Sequence, residues 1–167
     1  MARPFRIVCC VISAGALAVA GAAAGCRRTD PLPDLQTQIG RLTADSSDEQ
    51  YNALSNLQTL GPAAAAAVPE LRSLLTGTKD DTLRAEIAVT LGTMGTAAGD
   101  AVPDLIPLLD SNAMWPRYAA AKALGMMGKA ALPALPKLIT LMKDRDRDVA
   151  AAAAESARRL NRLRGQK

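Results

Sequence analysis

Apolar positions recur along this chain with two nested periods. The short period is helical. Leu35, Ile39 and Leu42 fall at i, i+4 and i+7, as do Ala53, Leu57 and Leu60, then Ile87, Leu91 and Met94, then Ala120, Leu124 and Met127. Each set lines one face of an α-helix. The long period is 34 residues and then 33, marked in one phase by Gly61, Gly95 and Gly128 and in another by Pro69, Pro103 and Pro136. The copies read LGPAAAAAVPELRSLL from Leu60, MGTAAGDAVPDLIPLL from Met94 and MGKAALPALPKLITLM from Met127. A fixed period of this size predicts stacked supersecondary units.

Each unit is expected to hold two helices. The first, A, carries the stripes above and stops at the glycine, where a left-handed residue ends a helix. The second, B, takes its proline in the first turn, where the missing N–H would have had no partner. Its core residues are Leu71, Leu74 and Leu75, then Leu105, Leu108 and Leu109, then Leu138, Leu141 and Met142. The stretch between glycine and proline, such as Ala63 to Ala67, is expected to be a short helical turn kinked at the proline. Ahead of the units, residues 33–43 read as a capping helix, weakened at Gly40 by about 1 kcal/mol relative to alanine. Ser46-x-x-Glu49 and Ser47-x-x-Gln50 both have the capping-box spacing. A fourth A helix is expected from about Asp146 to Leu163, with Val149, Ala153, Ala157 and Leu160 buried. Arg158, Arg159, Arg162 and Arg164 give it the charged outer face of a stack-ending element.

Leu83-Arg84 with Ala88 and Leu91-Gly92, then Pro116-Arg117 with Ala121 and Leu124-Gly125, are each followed by the glycine, the Val/Leu-Pro and the leucine stripe. Over about residues 47–163 this pattern resembles the HEAT-repeat family, most closely the short bacterial PBS-lyase HEAT-like repeats; eukaryotic HEAT units run longer. Ankyrin repeats require T-P-L-H, which a chain without histidine cannot supply, and tetratricopeptide repeats require bulky aromatics that are nearly absent here. The resemblance implies an all-α fold: a right-handed α-solenoid of about three helix pairs with N- and C-terminal capping helices. The expected domain runs over residues 33–163, with repeats at about 47–77, 78–110 and 111–143, a half-repeat at 144–163 and a basic tail at 164–167. It also implies that the B helices line the concave face, and that the function is binding. Some relatives in the family are bilin lyases.

Composition sharpens this reading. Hydrophobic residues make up 49% of the 167, but aromatics only 2%. Much of the apolar content is alanine, which suits close helix packing, and no alternating runs suggest strands. The absence of histidine removes the commonest general acid–base and the commonest metal ligand. Charge is uneven: residues 30–136 carry 7 Lys/Arg against 12 Asp/Glu, and residues 137–167 carry 9 against 4. A basic end can neutralise nucleic-acid phosphates; a solvated cap or contact with anionic headgroups suits an exported chain better, and no nucleic-acid partner is expected.

Export is suggested by the N-terminus. Arg3 and Arg6 precede an uncharged apolar run from Ile7 to Ala24, and Cys26 and Arg27-Arg28 follow. Three fates compete: a secretory signal cleaved at Ala22-Ala23-Ala24, an uncleaved anchor helix, and a lipoprotein. The last rests on Ala23-Ala24-Gly25-Cys26, which resembles the bacterial lipobox, with Ala23 where leucine is usual. That resemblance implies a signal peptide at 1–25, lipid attachment to Cys26 and a lipidated linker at 26–32. More than one acyl chain would hold the protein stably on a membrane facing the periplasm or the cell surface. Cys9 and Cys10 would be discarded with the leader, leaving no intrachain disulfide.

Candidate chemistry is sparse. Asp144, Asp146, Asp148 and Glu155 have the spacing of a calcium loop, but Val149 stands where that loop needs glycine. The aspartates match the acidic turn between repeats and the start of the next helix, and that structural reading is the expected one. Met94, Met126, Met127 and Met142 could suggest a soft metal, yet three of them lie on core stripes. Arg84 and Arg117 recur at one repeat position and are expected to bridge to turn carboxylates such as Asp81 or Asp110. Trp115 reads either as an exposed anchor or as a packed inter-repeat aromatic. No catalytic, metal or cofactor site is expected, and enzyme activity is not expected.

Binding should then fall to the exposed B positions: Glu70, Arg72 and Ser73, then Asp104, Ile106 and Pro107, then Lys137, Ile139 and Thr140. Ile106 and Ile139 are equivalent and would form an apolar strip rimmed by polar groups, the signature of a partner site. The expected function is a membrane-tethered adaptor for an unidentified protein, with no small-molecule substrate. The alternatives are an accessory subunit or spacer, or a lyase-like or chaperone subunit.

Overall fold

The computed structural model describes residues 34–44 and 46–165; the expected signal peptide at 1–25, the expected lipid site Cys26, the expected linker at 26–32 and the last two residues of the expected basic tail lie outside them. Every element among the described residues is helical. Helix α1 is Leu35–Leu42 and α2 is Ser47–Leu60; a 3-10 segment, Gly61–Ala67, leads into α3, Val68–Gly77. The second unit repeats this as α4, Asp81–Met94, a 3-10 segment Gly95–Ala101, and α5, Val102–Leu105. The third is α6, Met114–Met126, a 3-10 segment Gly128–Ala134, and α7, Leu135–Leu141; α8, Arg147–Gly165, follows. Among the described residues no helix is long and apolar enough to cross a membrane.

Two layers result. The A helices α2, α4, α6 and α8 pack in that order, each on the next, and the B helices stack alongside. Leucines and alanines from both layers meet between them. Leu57, Leu71, Leu91, Leu105, Leu124 and Leu138 are fully buried, as are Ala53, Ala67, Ala101 and Ala134. Leu42 of α1 is also fully buried, so α1 covers the open end of the first unit. The architecture is an all-α solenoid, as the repeat pattern predicts.

The glycines break each unit more sharply than a helical cap would. Gly61, Gly95 and Gly128 are the positive-φ residues among those described, at 53, 61 and 68°. At Gly61 and Gly95, ψ is −129 and −131°. This is a mirror-extended conformation that side-chain-bearing residues avoid, not the left-handed helical one. The chain therefore turns straight from A into the 3-10 segment, and the B helix begins one residue before its proline.

Local details depart from the sequence reading in three places, and Gln38 adds a fourth feature that it did not address. Neither capping box forms: Ser46 is the N-cap of α2 but makes no side-chain cap bond, and Gln50 Nε2 donates instead to the Ala44 carbonyl at 2.8 Å. The second B helix is split, with α5 ending at Leu105 and a 3-10 segment running from Ile106 to Asp110. Pro107 has no N–H to return to the Pro103 carbonyl, so the α-helical ladder cannot continue through it. Gln38 is 1% exposed although polar; its Oε1 accepts from Asn56 Nδ2 at 2.9 Å, joining α1 to α2. Met142 is 45% exposed where its equivalents Leu75 and Leu109 are 2%. Those two have a further B helix beyond them, and Met142 has none among the described residues.

Candidate functional site

The nine B positions do not form one uniform surface. Ser73, Pro107, Lys137, Ile139 and Thr140 are exposed, whereas Glu70, Arg72, Asp104 and Ile106 are half-buried. Arg72 of α3 donates its Nε to Asp104 Oδ2 of α5, tying two successive B helices. Lys137 of α7 pairs with Asp110 at the end of the preceding B segment. Thr140 Oγ1 donates back to the Pro136 carbonyl at 3.2 Å. The Glu70 Oε2 is enclosed and has no hydrogen-bond partner among the described residues.

The expected apolar strip is therefore not continuous. Ile139 is 50% exposed, but Ile106 packs against the core. The stacking order explains the difference. Position for position, the pair Arg72 and Asp104 becomes Ile106 and Lys137 at the next junction, where α7 packs on the segment that holds Ile106. At Ile139 no following B helix is described, so its side chain and that of Met142 remain open. What the B layer presents is an apolar end patch beside a charged pair, not a strip along its length.

A second arrangement lies where each B helix turns into the next A helix. Thr78, Ser111 and Asp144 are equivalent, and each accepts the backbone N–H two residues on. Thr78 Oγ1 accepts from Asp80 at 3.1 Å, Ser111 Oγ from Ala113 at 3.2 Å and Asp144 Oδ1 from Asp146 at 2.8 Å. Arg117 reaches back over this turn. Its Nη1 donates to the Ser111 and Asn112 carbonyls at 2.9 and 3.1 Å, its Nε to Asp144 Oδ2 at 2.8 Å and its Nη2 to Asp144 Oδ1 at 2.9 Å. Both side chains are nearly sealed, at 6% and 8% exposure. The Arg117 hydrogen bonds hold the Asp144 carboxyl below its ordinary range, against the opposing effect of burial. Arg117 thus pairs with the following turn rather than with Asp110. Arg84, one unit earlier, donates Nε to the Thr78 carbonyl at 2.9 Å and meets Asp81 Oδ1 at 3.5 Å, as expected, with its side chain 32% exposed. A cavity of about 580 Å³ opens in front of it, lined among others by Leu75, Lys79, Pro107 and Ser111.

The carboxylates with calcium-loop spacing have local duties. Asp144 faces Arg117, and Asp146 Oδ1 accepts the N–H groups of Asp148 and Val149 at 3.0 and 3.3 Å, starting α8. No group of three or more His, Cys, Asp or Glu among the described residues is placed to hold a metal ion. Met94 and Met127 are in the core, and Met126 is 42% exposed. Trp115 is 62% exposed, with Tyr118 edge-on at 6.1 Å. The arginine–cavity relationship was not read from the sequence. Its signal was the change at one repeat position from Ser111 to Asp144, beside an arginine that recurs.

Residues 97–158 match the family profile described as HEAT repeats. No curated protein matches the chain. Among solved structures, the crystal structure of an engineered protein is similar with a TM-score of 0.66 and 22% identity, over 77% of this chain and 63% of that one. The chain thus spans less than two thirds of that protein's length. The complex of CpcE and CpcF of phycocyanin lyase from a Nostoc species is similar with a TM-score of 0.53 and 22% identity, over 86% of this chain and 71% of that one. At such identities the likeness establishes the fold alone: a helical solenoid.

Proposed function

We propose that this chain is a membrane-tethered adaptor outside the cytoplasm, whose HEAT-like array binds a protein through the C-terminal end of its B layer. The observation that supports this most directly is the pair of large apolar side chains left open there, Ile139 at 50% and Met142 at 45% exposure. In a stacked array such residues are covered by the next B helix, and a partner's apolar surface is the natural substitute. The neighbouring pair of Lys137 and Asp110 supplies the polar rim that fixes register. The tether is the lipid carried by Cys26 after removal of residues 1–25, a reading supported by the lipobox-like Ala23-Ala24-Gly25-Cys26 and the basic residues that open the leader. The proposal assigns the chain no catalytic step, no cofactor and no small-molecule substrate.

A photo-crosslinking amino acid at position 139, in cells, tests the binding face against the same probe at position 89, an exposed valine on A helix α4. A discrete adduct from 139 alone supports the adaptor; identical patterns from both positions rule this face out. Intact mass of the purified protein tests the tether. Loss of residues 1–25 with an added lipid mass is expected. Cleavage after Ala24 without lipid, or an intact N-terminus, would overturn it.

A further inference from the structure

The repeat contains its own reference for an unfilled site. At the junction between α6 and α8, Arg117 is closed over by the Asp144 carboxylate through two parallel N–H···O bonds. At the junction before it, Arg84 occupies the same repeat position, and Ser111 stands where Asp144 stands one unit later. Ser111 keeps the turn-forming bond to Ala113, so its side chain is directed by the same local geometry. Its hydroxyl has no second oxygen to offer a guanidinium. The consequence is visible in exposure: the Arg84 side chain is 32% exposed and the Arg117 side chain 6%. Arg84 is held in place by its bond to the Thr78 carbonyl. Its contact with Asp81, at 3.5 Å, is longer than either bond between Arg117 and Asp144.

We propose that the cavity in front of Arg84 binds a carboxylate group supplied from outside the chain, seated as the Asp144 carboxylate is seated on Arg117. Arg84 and Ser111 both line it, and Lys79 adds a second cation. Its volume, about 580 Å³, is that of a small-ligand site. A planar guanidinium fork matches the two oxygens of a carboxylate. The other lining charges select for a single negative charge. Asp104 and Asp110 are held by Arg72 and Lys137 outside the site, and Asp81 lies beside Arg84 itself. These three carboxylates line the cavity beside Arg84 and Lys79, and their repulsion of a doubly charged phosphate is about twice that of a singly charged carboxylate. The group could arrive on a free small acid or on an acidic side chain of a protein; the recognition chemistry is the same, and the partner face at Ile139 is not required for it.

The test is a titration of the full chain, followed by the arginine Nε–H resonances, with acetate, with a capped tripeptide carrying one glutamate, and with inorganic phosphate. A saturable shift of the Arg84 Nε–H with both carboxylates, and none at Arg117, is expected. Equal affinity for acetate and peptide would assign a free acid as the ligand, and a peptide preference of about tenfold or more a protein side chain; either result supports the site. Ser111→Asp should close the site from within, abolishing the shift and raising the melting temperature as the internal pair forms. Arg84→Gln should abolish binding without that rise. Lys79→Ala should weaken it several-fold. No saturable shift at Arg84, an unchanged shift in Ser111→Asp, or phosphate binding as tight as carboxylate would overturn the proposal.

Discussion

Gly125 of α6 lies so close to Ser156 of α8 that a Cβ on the glycine would stand 2.3 Å from the serine Oγ and 2.7 Å from its Cβ. One unit earlier the same two positions are Gly92 and Ala123, and the added Cβ would be 2.9 Å from the alanine Cα. At the first junction they are Gln58 and Thr90, and the amide donates to the hydroxyl at 3.1 Å. One pair of positions thus joins successive A helices by a hydrogen bond once and by close backbone approach twice.

Gly125→Ala should therefore destabilise the protein by about 1–3 kcal/mol, the usual cost of forced overpacking, even though alanine by itself favours a helix by about 1 kcal/mol. Ser156→Gly in the same chain should recover most of the loss, because it removes the Oγ and Cβ that the new methyl meets. Gly40 of α1 has nothing within 4 Å of its would-be Cβ and no positive φ. Gly40→Ala should stabilise by about 0.5–1 kcal/mol. Urea unfolding of the three variants checks both signs at once.

Ala113 is a missing cap. Asp80 Oδ1 accepts the N–H groups of Thr82 and Leu83 at the start of α4, and Asp146 does the same for α8. Ala113 holds the equivalent place before α6, already extended at φ −81 and ψ 140°, with no side-chain cap bond. Ala113→Asp should add about 1 kcal/mol of stability, seen as a rise of about 2–4 °C in melting temperature.

The Arg117–Asp144 pair gives the fold an acid-sensitive joint. The Asp144 carboxyl titrates below its ordinary range, chiefly because Arg117 hydrogen-bonds to it. A carboxylate with a depressed folded-state pKa contributes stability that is fully present above the unfolded-state value. That contribution is lost as pH falls through the folded-state value. Asp144→Asn should cost about 3 kcal/mol at neutral pH, since it strands the buried Arg117 charge. It should also flatten the acid limb of stability against pH. Unfolding midpoints measured from neutral to strongly acidic pH would show the wild-type and variant curves converging at the acid end; parallel curves would refute the linkage.

How much of this was legible in the sequence depended on whether the repeat itself carried the information. The A stripes, the glycine breaks, the B prolines and the solenoid that they build are periodic, and periodicity reports packing. The pattern could not show which copies have a described B helix beyond them. Ile106 and Ile139 are equivalent letters, as are Leu109 and Met142, and their burial differs because α7 follows one of each pair and no B helix is described after the other. Pro107 was visible, but its splitting of the second B helix was masked by the leucine stripe passing through it. The capping box at Ser47 failed for a local reason: Gln50 donates to the Ala44 carbonyl instead. Arg84 and Arg117 looked alike because the difference between them lies in the following unit, at Ser111 and Asp144.

That difference in burial makes Ile106 and Ile139 a matched pair for separating folding from binding. Ile106 packs against the core, so Ile106→Asp buries part of a carboxylate without a partner and should cost about 2 kcal/mol. Ile139, half exposed, should tolerate aspartate to within about 0.5 kcal/mol. A double substitution at both positions would confuse a lost partner with a lost fold. Ile139→Asp alone, with Met142→Lys as a second lesion in the same patch, leaves the array intact and removes its open apolar end. If that end is where a partner seats, the double variant at 139 and 142, with the photo-crosslinking amino acid moved to exposed position 140, should lose the partner adduct while its urea midpoint stays at the wild-type value. Crosslinking that survives in a fully folded double variant would move the binding face elsewhere on the solenoid.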